Sequence, residues 1–176
     1  VPVACAALEA GATSLGVALL EEAITLRQSG ITAPILAWLV PPGSDFKLAV
    51  DSEIELAASS IIALEQIGAV KSKNRPRVHL EVDTGMTRGG FLAEWDQLSA
   101  EHLKNIEVVG IFSHFARADE AGQQQNLDQL KEFMKKIEQL KAVGINPPIK
   151  HLSNSAATLL DSDSAFDMVR TGIAMY

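Results

Sequence analysis

RVHLEVDTGMTRGG, residues 77–90, decides the reading of the fold. Val78, Leu80 and Val82 fall on one face and His79, Glu81 and Asp83 on the other, the two-residue period of a strand. Gly85, Gly89 and Gly90 then break the run into a loop. In a barrel of parallel strands the apolar face packs outward under helices. The polar face looks into the lumen, where sites are built at the carboxyl ends of the strands. The stretch therefore predicts a strand whose tip carries chemistry.

Outward from it, short β-type runs alternate with amphipathic helical ones. Strands are expected at 13–18, 34–39 (PILAWL), 54–58, 77–83, 106–115, 149–154 and 167–176. Helices are expected at 20–28, 46–51, 61–70, 95–102, 123–143 and 156–160. In the longest helix Leu127, Leu130, Phe133, Met134, Ile137 and Leu140 recur at three and four, a single apolar stripe beside a solvated Lys/Glu face. Alternation of strand and helix implies a parallel sheet with right-handed crossovers. The fold class is therefore α/β, an incomplete (βα)8 TIM-type barrel with about seven of the eight strands. A doubly wound open sheet competes, weakened by the lack of a GxGxxG after the first strand.

The 176 residues make one ordinary domain, and 47% hydrophobic content supports a core. A net charge of -7 argues against a nucleic-acid groove. No apolar run approaches the roughly 20 residues of a membrane helix, and the start lacks the basic residues of a signal peptide. A single cysteine, Cys5, allows no internal disulfide and fits a cytoplasmic setting. The opening Val1 and the closing GIAMY look like cut ends.

Each candidate constellation has a plainer reading. DTGMTRGG, 83–90, is a strand-tip site or a glycine turn with Arg88 in water. HLSNSAA, 151–157, binds a phosphate at a helix N-terminus or simply caps that helix through Asn154 or Ser155. His114 alternates with Phe112 and Gly110, as a hydrogen-bonded core histidine would. Arg170 is a charge inside an apolar run, and burial of such a charge demands a partner. His79, Glu81 and Asp83 as metal ligands are disfavoured, because in-face neighbours on one strand lie ~6–7 Å apart.

Together LEVDTGMTR (80–88), GIFSHFARAD (110–119), HLSNSAAT (151–158), DMVRTGIAMY (167–176) and AALEAG (6–11) resemble the bacterial alanine racemases, over essentially the whole chain. The resemblance implies a pyridoxal 5'-phosphate barrel followed by a β-rich domain, a head-to-tail homodimer, and interconversion of L- and D-alanine for peptidoglycan. Residues 1–176 would then be a partial cofactor-binding barrel. By motif, Arg88 matches the arginine on the cofactor's phenolic oxygen and the substrate carboxylate, and His114 the histidine beside the pyridine ring. Asn154 and Ser155 match the phosphate-side pair, Gly172 and Ile173 the amides on the phosphate, and Arg170 the arginine at the pyridine nitrogen. Trp38 falls where the family places an apolar contact to the cofactor. An arginine at that nitrogen donates without giving up its proton. The ring is then a weaker electron sink, which favours reprotonation over transamination.

Two departures stand out. Glu81 occupies the place of a lysine that is often carbamylated in the family and bridges to the Arg88 equivalent; Glu81 is expected to orient Arg88 directly. The lysine that holds the cofactor covalently and the catalytic tyrosine of the second domain have no counterpart, and Lys47, Lys71, Lys73 and Lys104 are wrongly placed to substitute. The chain by itself is expected to be inactive and poorly soluble. Alternatives are a non-catalytic pyridoxal-phosphate barrel and an unrelated phosphate-binding barrel isomerase.

Overall fold

The computed structural model describes residues 1–120 and 122–175. Its strands are β1 (Leu15–Leu19), β2 (Ile35–Leu39), β3 (Glu55–Ala58), β4 (Arg77–Glu81), β5 (Glu107–Phe112) and β6 (Ile149–His151), hydrogen-bonded in chain order. The helices are α1 (Pro2–Glu9), α2 (Leu20–Gln28), α3 (Phe46–Asp51), α4 (Ile61–Gly68), α5 (Ala100–Leu103), α6 (Gln124–Ala142) and α7 (Ser155–Leu160). From β1 onward a helix follows every strand, the predicted alternation. The chain forms two compact units, residues 1–78 with 102–107, and residues 79–101 with 108–176.

In the first unit β1 pairs with β2 and β2 with β3, all parallel. All four residues of β3 are buried, Glu55 among them. A buried carboxylate needs a countercharge, and Arg77 supplies it at 2.9 Å. Gly16 is demanded by Trp38: a Cβ there would lie 2.3 Å from the indole ring. Asp45 and Ser60 cap α3 and α4, accepting from Leu48 N and Ala63 N. Helix α1 lies where no element was expected from the sequence. Pro2 stands in its first turn and four alanines follow within the next nine residues, both favourable to a helix start.

In the second unit β5 and β6 pair in parallel, with Gly110 opposite Ile149 and Phe112 opposite His151. Val82 donates to Phe112 O and bridges to Phe91, which closes the glycine loop after β4. Helix α6 buries Phe133, Ile137 and Leu140 of the expected stripe and adds Gln129 and Lys136, while Leu127 and Met134 are about half exposed. The two polar residues are accommodated specifically. Lys136 extends over the Trp95 ring and reaches Glu132. Gln129 is fully hydrogen-bonded to neighbouring loops.

Three strand expectations are corrected. Residues 106–115 form a strand only to Phe112, and 149–154 only to His151. The last segment, 167–175, is not a strand. It makes one backbone bond to β6, Asp167 N to Lys150 O, and one to the loop beyond it, Arg170 N to Ser153 O, and ends in a 3-10 turn at Ile173–Met175. Two bonds are too few for a ladder, so six strands are present among the described residues, not seven. Tyr176, the end of that expected strand, lies outside the described residues.

Candidate functional site

The site grows from the carboxyl ends of β4, β5 and β6 in the second unit. After β4 the chain must turn at once, and Asp83 organises the turn. Its Oδ1 accepts from the amides of Gly85, Met86 and Thr87 at 2.8–3.1 Å. Gly90 is obligatory, with φ +107° and a would-be Cβ 2.6 Å from Asp83 N. This loop presents Arg88 to solvent. A small cleft beside it is lined by Glu81, Asp83, Met86, Arg88, Ser113 and His114.

Arg170 is tied down at several points. One terminal nitrogen donates to His151 Nδ1 at 2.9 Å; the other donates to the carbonyls of Ser113 and Leu152 at 2.6 and 3.0 Å. Its guanidinium carbon sits 5.6 Å from the centre of the Phe112 ring. Burial pulls its pKa down to about 10, with Glu81 pulling the other way and Arg88 adding to the fall. The group therefore stays charged at neutral pH. The partners that burial demanded include two carbonyls and an imidazole.

His151 is fully buried, stacked on Phe112 at 4.9 Å and edge-on to His79 at 5.0 Å. Burial first, then the Arg170 cation and His79, hold its pKa well below the usual imidazole value. His114 lies just past β5 on a loop, not on the strand. Burial, then Arg170 and Arg88, lower its pKa to about 4. It is neutral at pH 7, with Nε2 3.4 Å from Asn154 Nδ2. Burial raises the pKa of Glu81, and the cations of Arg88 and Arg170 oppose the rise. Arg88 acts on Glu81 through space; among the described residues no ion pair joins the two.

Asn154 caps α7: its Oδ1 accepts from Ala157 N at 3.0 Å. Ser155 Oγ accepts from Ala174 N at 3.2 Å, which fastens the turn carrying Gly172 and Ile173 to the start of that helix. Gly172 has open space where a Cβ would be, and Ile173 is 82% exposed.

Of the residues singled out in the sequence, Glu81, Arg88, His114, Asn154, Ser155, Arg170, Gly172 and Ile173 all belong to the second unit. Trp38 belongs to the first, where its ring lies on Gly16. His79 and Asp83, the alternative metal ligands, are engaged instead by His151 and by loop amides. Among the described residues no group of three His, Cys, Asp or Glu is arranged to hold a metal. None of the second unit's lysines stands in the cleft. Lys131 is exposed, Lys135 and Lys136 reach Glu132, Lys141 reaches Glu138, and Lys150 reaches Asp167.

Sequence reasoning overlooked His151, Gln129 and Ser113. The signal for His151 was present, since it opens HLSNSAA, the motif that precedes the charge at Arg170 in the sequence. Gln129 carried none, because an amide on a helix reads as surface.

Known proteins resemble this chain over its whole length. The chain is 45% identical to an alanine racemase of Salinispora arenicola and 42% identical to that of Thermobifida fusca, over its whole length in both cases. It spans 50% and 49% of those two proteins, about half the length of the curated relatives it matches. Among solved structures, the alanine racemase from D-cycloserine-producing Streptomyces lavendulae superposes with a TM-score of 0.95 at 38% identity, covering 100% of this chain and 48% of that one. The Bacillus anthracis alanine racemase with bound L-Ala-P does so with 0.92 at 38%, covering 100% and 47%. The family model for the N-terminal domain of alanine racemase matches residues 1–176. The chain belongs to the alanine racemase N-terminal domain family.

Proposed function

We propose that the protein carrying this chain is a pyridoxal-phosphate-dependent alanine racemase, that residues 1–176 are part of its cofactor-binding barrel, and that the enzyme is a homodimer. The observation that carries the reading is Arg170, a half-buried cation fixed by His151, Ser113 O and Leu152 O.

The donor set fits the cofactor's three polar features. Arg170 is the donor for the pyridine nitrogen, and its pKa of about 10 keeps its proton in place. Ser155 and the amides of the exposed turn at Gly172 and Ile173 serve the phosphate. Arg88, exposed on its loop, serves the phenolic oxygen and the substrate carboxylate, contacts of the charge-assisted class worth ~1.5–3 kcal/mol. His114, held neutral, packs beside the ring without adding positive charge. Asn154 contributes by fixing the start of α7. When bound, pyridoxal phosphate supplies the electron-withdrawing ring that makes the α-proton of an amino acid removable.

None of these residues is a base suited to that proton: His114 is too weak, and the arginines stay protonated. The proton-moving groups and the covalent lysine are therefore assigned to parts of the enzyme other than these residues, and residues 1–176 alone are expected to be inactive. The test is to express the full-length protein, add pyridoxal phosphate, and follow D-alanine formed from L-alanine. Failure to racemise alanine while racemising serine would move the substrate; binding of the cofactor without racemisation would favour a non-catalytic carrier.

A further inference from the structure

Behind Arg170 the second unit contains a line of buried side chains that the proposed reaction does not use. His151 Nε2 lies 2.9 Å from His79 Nδ1. Both rings are essentially inaccessible, at 0% and 1% exposure. We propose that His79 is a positioning residue for Arg170, acting through His151, in a hydrogen-bonded line where each proton has one allowed place.

The protons follow from the guanidinium. Arginine has only N–H donors, so His151 Nδ1, 2.9 Å from Arg170 Nη1, is the acceptor and carries no proton. A neutral His151 therefore bears its hydrogen on Nε2, which points at His79 Nδ1. That nitrogen in turn accepts, and His79 is protonated on Nε2. Any other arrangement sets two N–H groups against each other in a site closed to water. The Phe112 ring, stacked on His151, prevents the imidazole from tilting away.

His79 has been given room for this contact. A Cβ at Gly110 would lie 2.1 Å from His79 Nδ1, so the glycine on β5 lets the ring stand upright over the neighbouring strand. His79 thus accepts the one proton that Arg170 leaves on His151, and so holds that ring in place against the guanidinium. The acceptor it maintains holds one of the two terminal nitrogens of the guanidinium. The hydrogen-bonded line stands on these residues alone; its consequence for the cofactor rests on the function proposed above.

The test uses the full-length enzyme labelled with 15N-histidine, without cofactor and then with pyridoxal phosphate. In the wild type His151 is expected to be protonated on Nε2 and bare on Nδ1. His79→Phe keeps the ring's bulk and removes the acceptor; the His151 proton stays on Nε2, because Arg170 occupies Nδ1, and its N–H resonance is expected to shift to that of an unbonded imidazole N–H. Gly110→Ala, which pushes the His79 ring aside, is expected to do the same. His79→Gln, whose amide oxygen can still accept, is expected to restore the hydrogen-bonded Nε2–H resonance, a rescue that mere space-filling does not explain. Apparent affinity for pyridoxal phosphate should fall about tenfold in His79→Phe and recover in His79→Gln, the size of one lost hydrogen bond to a charged group.

A wild-type His151 protonated on Nδ1 would overturn the proposal, as would an unchanged Nε2–H resonance in both His79→Phe and Gly110→Ala. Failure of the wild type to bind pyridoxal phosphate at all would instead overturn the cofactor assignment, with the tautomer result unaffected.

Discussion

Gln129→Leu is the substitution that most directly tests how the site is held. Gln129 is 1% exposed on α6 and makes three hydrogen bonds. Its Oε1 accepts from Ala116 N at 2.9 Å, and its Nε2 donates to His114 O at 2.9 Å and to Thr84 Oγ1 at 3.2 Å. The one amide therefore ties the loop after β4, which bears Arg88, to the loop after β5, which bears His114. Leucine fills nearly the same volume and makes none of these bonds. Thr84 retains Ser113 as a partner at 2.8 Å, so the loss falls on Ala116 N and His114 O. At ~1–3 kcal/mol for each of the two buried groups left without a partner, the cost is about 2–6 kcal/mol. Amide hydrogen exchange reads this locally. Protection of the Ala116 amide should drop by about tenfold or more, since each 1.4 kcal/mol is a factor of ten, while amides of β2 keep theirs. Gln129→Glu should behave almost as badly, because a carboxylate can accept from Ala116 N but faces the His114 carbonyl with no proton to give. Unchanged Ala116 protection in Gln129→Leu would refute the reasoning.

Three further outcomes are expected. Because the pKa of folded His114 is depressed to about 4, the unfolded chain binds more protons between roughly pH 6.5 and 4. Stability should fall with falling pH across that window, and His114→Gln should flatten the slope in denaturant titrations at stepped pH. Arg77→Met removes the cation 2.9 Å from buried Glu55; the loss should be about 2 kcal/mol, below the 3–5 seen for fully buried pairs because the arginine is itself partly exposed, and Glu55→Gln in the same background should recover part of it. Gly16→Ala sets a Cβ 2.3 Å from the Trp38 ring, so in a Trp95→Phe background the single remaining indole should change its emission; an unshifted spectrum would show that the two strands part without disturbing the ring.

Much of the architecture was legible in the residue order. The alternation in RVHLEVD and the apolar runs of ILAWL and ELAA specify strands, because a pleated strand shows opposite faces at successive residues. The glycines of DTGMTRGG specify the loop that follows, since Gly90 must adopt a positive φ against the Asp83 backbone. The chemical family was legible too, through residue types arrayed at the strand tips. The α6 face was legible only in Phe133, Ile137 and Leu140, because Gln129 and Lys136 look like surface residues until the loops and the Trp95 ring that receive them are in place.

The end of the chain shows the same division most sharply. The sequence alone established that Arg170, if buried, needs a partner, because an unpaired charge is too costly away from water. It could not say which partner. Ser113 O, Leu152 O and His151 lie 57, 18 and 19 positions away along the chain, and only the parallel pairing of β5 with β6 brings them to one guanidinium. Nor could it say that DMVRTGIAM is not a strand, since whether an apolar run joins a ladder depends on how many backbone groups its neighbour leaves free. Local periodicity is written in adjacent residues; hydrogen-bond partners are chosen by the packing of distant ones.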